Sequence, residues 1–410
     1  MRGSYWPWLG GGLFLMGVIL NQIPMMLVAL LLLLVWGATR LWERYALTRI
    51  EYHRHLSAKR AFFGEELLLE LEVTNRKLLP LPWVEIDDEM PEDITFLKGK
   101  TTSSHKTARV HLTSLLSLGW YHRVKRRYPI CCDHRGHLTF GPARIRSGDL
   151  FGFSRQEIEV NDVNRLIVYP KIVPLEQPSI PSKQPLGDIL TKRYIFQDPI
   201  LTMGVRDYHF GDSLKRIHWK TTARLGKLQT KVYEPTTSVD MGIFLDVRTV
   251  KPPTWGMIQQ RLELGVMAAA SIANHAMAAG YRVGLYANQR RQPIGEPVRI
   301  PPSQHTEQMV NILDALAQIH SAAESMPISR FISLESRNLP WGSTLVLITA
   351  MPTETLLATL LRMKRFGRRV ALVIIGGPET PSLDGLPTYR ISDDVPWREV
   401  ETLTLKVAMQ

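Results

Sequence analysis

Three regimes of hydrophobic patterning follow one another along the chain. The first is an uncharged stretch, residues 5–38. Tyr5, Trp6 and Trp8 precede an apolar run from Leu9 to Leu20. Asn21, Gln22 and Pro24 interrupt it, and a second run extends from Met25 to Ala38, with Trp36 near its end. Three readings compete. A secretory signal peptide has a basic start, an apolar run of about 7–15 residues and a small-residue cleavage site; Arg2 is a weak basic start, and this stretch is too long and too split. A single span needs about 20 apolar residues, fewer than are present. Two short helices joined at residues 21–24 fit the polar break best. At roughly 15–16 residues each, they require local bilayer thinning or aromatic ends that reach the interface. Arg2 lies before the pair, Arg40, Arg44 and Arg49 after it, and no basic residue lies in the turn. That asymmetry predicts a cell-membrane protein with two spans and its remaining mass in the cytoplasm.

The second regime, residues 50–170, is short and strand-like. Residues 67–73 alternate leucine or valine with Glu70 and Glu72, the period of two of a half-buried strand. Pro80, Pro82 and Pro91 punctuate the segment around Trp83 to Ile86, and further strands are predicted at 109–115, 120–130, 137–146 and 165–169. The spacing predicts an antiparallel β-sandwich with immunoglobulin-like topology. Arg123, Lys125 and Arg127 share one strand face. They read as charges guarding a solvated edge strand, or as a lipid-facing basic patch. From 171 to 200 a run of prolines (170, 174, 178, 181, 185, 199) predicts a linker without regular structure.

The third regime begins near residue 238, where strands and helices alternate. Strands are predicted at 241–245, 281–287, 344–349, 369–375 and 387–391, with helices at 257–279, 306–319 and 354–366. Apolar strands alternating with helices predict a mostly parallel, doubly wound α/β sheet. The domain reading is therefore 1–45 hairpin, 50–170 sandwich, 171–237 linker and signature segment, and 238–410 α/β domain.

Composition narrows the function only slightly. At 410 residues the chain exceeds one hydrophobic core, and 45% apolar with 21% charged residues is globular. A formal charge of +12 raises attraction to anionic lipid or nucleic acid, beside the plainer reading of an ordinarily basic membrane protein. Because the basic residues are dispersed from Arg2 to Lys406, no nucleic-acid partner is expected. The two cysteines, Cys131 and Cys132, are adjacent and on a strand point to opposite faces, so they read as ordinary small residues in a reducing compartment.

Two places hold candidate chemistry. Open α/β sheets bind ligands beyond the carboxyl ends of their strands, which singles out Asp246. Arg248 follows it where a hydroxyl would serve a metal, so an Asp246–Arg248 ion pair is expected, with no metal and no cofactor. The denser cluster is residues 205–228. Gly211-Asp212 reads as a turn into a helix capped by Asp212 or Ser213, on which Asp212 pairs with Arg216, and Arg216, Trp219 and Lys220 share a face. Three readings stay open: a structural clamp, a docking surface, or a catalytic pair with His218 as base and Asp212 as its orienter, the last implying a hydrolytic or transfer enzyme.

At this cluster a family resemblance becomes specific. The run Arg206-x-Tyr208-x-x-Gly211-Asp212-x-x-Lys215-Arg216-x-His218-Trp219-Lys220-x-Thr222-Ala223-Arg224 resembles the signature of the bacterial family called domain of unknown function 58. Ser147 to Phe153 is similar to that family's aspartate-proline-phenylalanine-glycine stretch, with Leu150 in place of proline, and Val168-Tyr169-Pro170 also matches. The resemblance implies a membrane-anchored protein whose C-terminal domain is von Willebrand factor A-like, associated with MoxR-type AAA+ ATPases. It implies a membrane-bound adaptor or assembly factor working with such an ATPase. With the docking reading of the cluster this gives a non-catalytic adaptor whose expected docking residues are Arg206, Tyr208, Gly211, Asp212, Arg216, His218, Trp219 and Arg224. One common family feature, the metal motif Asp-x-Ser-x-Ser, is degenerate here, with Asp246, Arg248 and Val250 in its place.

Overall fold

The computed structural model describes residues 5–97, 101–103, 108–149, 155–176, 196–210, 212, 214–236, 240–250, 258–291, 296–320, 325–340, 342–377 and 386–407. The chain divides into two compact units, residues 1–169 and 170–410.

The first unit begins with two apolar helices, α1 (Trp6–Ile19) and α2 (Ile23–Tyr45). Each carries proline in its first turn, where the missing amide hydrogen is no loss. Asn21, at φ 51°, turns the chain between them. Two glycines let the helices approach closely. A Cβ at Gly10 would lie 3.0 Å from Leu33, and one at Gly17 would lie 3.1 Å from Met26, so the pair runs antiparallel. α2 is longer than the 15–16 residues expected, because helix continues through the charged residues Arg40, Glu43 and Arg44. It is the one described helix long and apolar enough to cross a membrane; α1 is apolar but shorter. Outward leucines such as Leu15, Leu27, Leu31 and Leu34 are exposed.

Strands β1 (Ile50–Leu56), β2 (Arg60–Phe62), β3 (Glu66–Asn75), β4 (Leu81–Pro91), β5 (Thr95–Phe96), β6 (Thr101–Ser103), β7 (Arg109–Leu118), β8 (Arg123–Cys131), β9 (Gly136–Phe140), β10 (Ala143–Gly148), β11 (Arg155–Val160) and β12 (Asn164–Tyr169) follow. They form sheets of order β1-β3-β8-β5, β11-β10-β4-β7-β6 and β2-β12-β9. Their inner faces bury one shared core that includes Leu69, Ile86, Ile130, Phe140, Ile145 and Val168. The alternation in β3 is realised, with Leu67, Leu69, Leu71 and Val73 inside. The single strand expected at 137–146 is two, split at Gly141 and the cis-peptide Pro142, and Trp120 lies before β8 rather than in it. β8 sits between β3 and β5, but β5 pairs only with Ile130 and Cys131, so along residues 123–127 the outer edge of β8 is open among the described strands. Lys125 pairs with Glu70 at 2.7 Å and Glu72 at 2.9 Å, Arg127 with Glu70 at 2.8 Å, and Arg123 with Glu72 at 3.2 Å. The basic stripe thus lies on an open strand edge, as expected, and forms one half of a cross-strand ion-pair ladder with Glu70 and Glu72 rather than a free lipid-facing patch. Lys125 and Arg127 pull the Glu70 carboxyl down to about 2.

The second unit opens with β13 (Leu175–Glu176), which pairs with β22 (Leu403–Thr404), and a hairpin of β14 (Phe196–Asp207) and β15 (Gln229–Thr236). The expected irregular linker therefore gives way to strand at 175–176 and again from Phe196 onward; prolines 178, 181 and 185 lie outside the described residues. Strands β16 (Asp240–Leu245), β17 (Arg282–Arg291), β18 (Glu296–Ser303), β19 (Thr344–Thr349), β20 (Arg369–Ile375), β21 (Thr388–Ile391) and β23 (Lys406–Val407) make a mixed sheet of order β18-β17-β16-β19-β20-β21-β23. The inner ladders are parallel and both outermost pairings antiparallel. Between the hairpin strands lies α3 (Trp219–Leu225), and the sheet carries α4 (Gln259–Ala278), α5 (Gln308–Ala317), α6 (Ile328–Glu335) and α7 (Glu354–Arg365). Alternate residues face opposite layers: Leu245 and Ile375 pack on Gly265 of α4, while Phe244, Leu347 and Leu372 share a core with Phe331 of α6 and Leu360 of α7. Burial on both faces explains why β16 and β19 read as uninterrupted apolar runs.

Candidate functional site

The signature occupies the connection of the β14–β15 hairpin. Arg206 and Asp207 end β14, and Tyr208 continues the ladder by donating its amide to Leu228 O at 2.9 Å. The helix expected to start at Asp212 or Ser213 begins instead at Trp219, after a 3₁₀ turn, Leu214–Arg216. Its N-cap is His218, whose Nδ1 accepts from the Thr221 amide at 3.1 Å and lies 2.8 Å from Thr221 Oγ1. Gly226, in the left-handed region at φ 67°, closes it.

Asp212 joins the two strands. Its Oδ1 takes a charge-assisted bond from Arg206 at 2.7 Å, and its Oδ2 accepts from the His209 amide at 3.0 Å and from Thr230 Oγ1 at 3.3 Å. The His209 amide and the Arg206 guanidinium hold this carboxyl below its usual range. The expected Asp212–Arg216 pair is replaced by Asp212–Arg206, because the turn carrying Asp212 folds back on the strand end. Further links close the base of the hairpin: Gln229 Nε2 donates to Asp207, the Gln229 amide to Thr222 Oγ1 at 3.0 Å, and the His218 amide to Gln229 O at 2.8 Å. Ile217 is buried beneath them. Gln229, Thr230 and Thr221 lie outside the residues the signature names, since a threonine or glutamine in a strand or helix carries no motif of its own, whereas Thr222 is part of the signature.

These polar groups bond to one another and to the backbone, while several large apolar side chains stand in solvent. Phe210 is fully exposed, Trp219 is 67% exposed, and Leu214, Leu225 and Leu228 are also exposed. Arg216, Lys220 and Arg224 stand among them at the surface; Arg216 belongs to the 3₁₀ turn rather than to a helix face shared with Trp219. Gly211 lies outside the described residues. The two candidate catalytic groups do not meet: among the described residues His218 and Asp212 are each engaged by other partners.

Asp246 lies at the end of β16, where the sheet continues through β17 on one side and β19 on the other. Its Oδ1 accepts from Asn288 Nδ2 at 2.8 Å and the Arg248 amide at 3.2 Å, and its Oδ2 accepts from Thr349 Oγ1 at 3.0 Å. The expected ion pair with Arg248 is not formed. That guanidinium reaches Ser325, donating to Oγ at 2.8 Å and to the carbonyl. Burial raises the Asp246 carboxyl above its ordinary range. Among the described residues no three His, Cys, Asp or Glu side chains converge to hold a metal ion.

The molecule is thus a mixed α/β domain that presents an apolar, arginine-rich hairpin signature, preceded by a β-rich unit and apolar N-terminal helices. Residues 204–377 match the model of the family described as protein of unknown function DUF58, the family that the signature resembles. The uncharacterized protein YeaD of Bacillus subtilis (strain 168) is 25% identical over 289 residues, 70% of this chain and 66% of that protein; the chain spans just under two thirds of this relative. Among solved structures, a CARDB domain from Pyrococcus furiosus (11% identity, 29% of this chain and 89% of that one) scores a TM of 0.19. A non-cellulosomal cohesin from Archaeoglobus fulgidus (8% identity, 30% and 91%) scores 0.21. Scores this low do not define the fold.

Proposed function

We propose that the protein is a non-catalytic, membrane-anchored adaptor whose signature hairpin docks a protein partner, and that the partner is a MoxR-type AAA+ ATPase. The observation that carries this reading is the division of labour within the hairpin. Asp212, Arg206, His218 and Gln229 are spent on internal bonds, while Phe210, Leu214, Trp219 and Leu225 are offered to solvent. A two-stranded hairpin is marginal in water, and β14 and β15 pair only with each other among the described strands. Such a hairpin gains from a partner that covers its apolar side, and tryptophan flanked by arginine is the composition of an interface anchor. In this reading both N-terminal helices span the membrane with the two units in the cytoplasm, the β-rich unit is immunoglobulin-like, and the mixed sheet is a von Willebrand factor A-like domain whose metal loop has been filled by protein groups.

The test is affinity purification of the detergent-extracted full chain, comparing wild type with the Phe210→Ser/Trp219→Ala/Leu225→Ser variant. An AAA+ ATPase is expected to accompany the wild type and to be depleted at least several-fold with the variant, while the variant melts as the wild type does. An undiminished ATPase in the variant's eluate overturns the docking role.

A further inference from the structure

A second exposed apolar cluster lies in the β-rich unit, and its position is defined by the end of α2. That helix leaves its last carbonyls without intrahelical partners. Lys77, buried between β3 and β4, holds the chain just past that end: its Nζ donates to the carbonyl of the C-cap Ala46 at 2.7 Å and to Thr48 O at 2.8 Å. Three residues on, Pro80 O accepts from Trp42 Nε1 at 3.1 Å. The loop 76–80 therefore runs back along the final turn of α2, toward its apolar part. The loop 119–122 is knitted to it, since Asn75 Nδ2 donates to both Leu79 O (3.0 Å) and Gly119 O (2.8 Å), and the Tyr121 amide to Lys77 O (3.2 Å).

These two loops present Leu78 at 69%, Trp120 at 70% and Tyr121 at 65% exposure. Tyr121 sits at φ 48°, a region that bulky residues rarely enter. A strained turn that holds two aromatic rings in water has a cost with no return inside the unit. The return lies beside it. Arg40 stacks on Trp36, 5.9 Å from the ring centroid, and marks where α2 leaves apolar surroundings. From Arg40 to Ala46 is about 9 Å of helix, and the headgroup layer is about 5–7 Å deep on each side of the hydrocarbon. Exposed Arg44 and Arg49 on the same helix end complement anionic headgroups.

We infer that Leu78, Trp120 and Tyr121 form an interfacial foot that rests in the headgroup–acyl boundary of the bilayer α2 enters, and that Lys77 fixes the β-rich unit to the helix so that the foot stays at this depth. The inference rests on the membrane reading of α2, and the experiment separates the two. Burial pushes the thiols of Cys131 and Cys132 up, to about 11 and about 12, which leaves an introduced exposed cysteine as the reactive one. An environment-sensitive fluorophore is placed by Leu31→Cys in α2, by His122→Cys beside the foot, and by Asp93→Cys in the turn beyond the far end of β4. Each full-length protein is reconstituted into phosphatidylcholine–phosphatidylglycerol vesicles containing shallow nitroxide-labelled lipid. Quenching is expected at positions 31 and 122, several-fold greater than at 93, and the added double change Trp120→Ser/Tyr121→Ser should return position 122 to the level of 93. Quenching at 31 with none at 122, or quenching at 122 that survives the double change, overturns the foot and leaves the anchor standing. Silence at 31 overturns the anchor and the foot with it.

Discussion

At the residue scale, two buried acids show how neutral and ionic surroundings divide the work of this chain. Asp88 is fully buried and opposite Arg54, which is also buried; the guanidinium grips both carboxylate oxygens and extends to Asn164 Oδ1 and Asp162 O. Tyr52 adds a bond to the same carboxylate at 2.5 Å. Removing one partner strands the other charge in the core, so Asp88→Ala is expected to lower the unfolding free energy by about 3–5 kcal/mol, read from chemical denaturation. Asp246 is the opposite case. It has only neutral donors within bonding distance, and burial lifts its carboxyl. An acid whose folded pKa lies above its unfolded value is a penalty wherever it is ionised, and the penalty lifts as pH falls through the folded value. Asp246→Asn is therefore expected to raise stability at pH 7 and to remove part of the gain that the wild type shows on acidification. Asp246→Ala, which removes the acceptor of one Asn288 Nδ2 hydrogen and of the Thr349 hydroxyl while their bonds to Met326 O and the Met351 amide remain, should cost about 1–3 kcal/mol. Thermal denaturation between pH 5 and 8 checks both signs.

At the element scale, α3 has seven residues, too short to persist without its ends, and His218 and Gly226 supply them. His218→Ala is expected to cost about 0.5–2 kcal/mol through the lost cap, whereas His218→Asn restores an acceptor for the Thr221 amide and should restore both stability and partner recovery. If His218→Asn folds normally yet loses function, the imidazole itself is needed, and the adaptor reading gives way to a catalytic one. That helix also shows where sequence patterning stops being informative. Strands buried on both faces, such as β19 and β20, were legible to the residue because nothing polar interrupts them. β1 was not, since its inward positions include Arg54, a charge that only the distant Asp88 makes tolerable. β18 escaped because Pro297, Pro301 and Pro302 argue against a strand, which an antiparallel outermost position permits. The signature was legible as a cluster and not as a shape. Asp212 has two arginines within reach in sequence, Arg206 and Arg216, and the hairpin register decides in favour of the one across the turn. Likewise Arg248 seemed fated to pair with Asp246 two residues away, yet the strand end turns its guanidinium onto Ser325.

At the scale of the whole molecule the proposed two-span anchor is tested by the contact between α1 and α2. α1, with 14 residues, spans about 21 Å, short of a hydrocarbon core about 30 Å thick, while α2 with 23 residues spans about 34 Å. Left alone in lipid, α1 has reason to lie along the interface. Held against α2 through Gly10 and Gly17, it has little freedom to do so, because both glycines remove the side chain that would force the helices apart. Gly10 then stands beside Leu33, within the apolar part of α2, and the exposed Tyr5, Trp6 and Trp8, about a turn further on, are placed to reach the interface. A helix pair of this kind has its turn on one side of the membrane and both ends on the other. On intact cells a membrane-impermeant maleimide is expected to label Asn21→Cys and to reach Tyr5→Cys only after lysis. A single span through α2 predicts labelling at both positions, since residues 5 and 21 then share the outer face. The tighter form of the prediction uses the packing itself: Gly10→Leu/Gly17→Leu, which places branched side chains where 3.0 Å and 3.1 Å of clearance exist for a single carbon, should convert the first labelling pattern into the second. If the glycine variant keeps residue 5 protected, helix contact is not what holds α1 across the membrane, and the two-span topology must rest on the flanking charges alone.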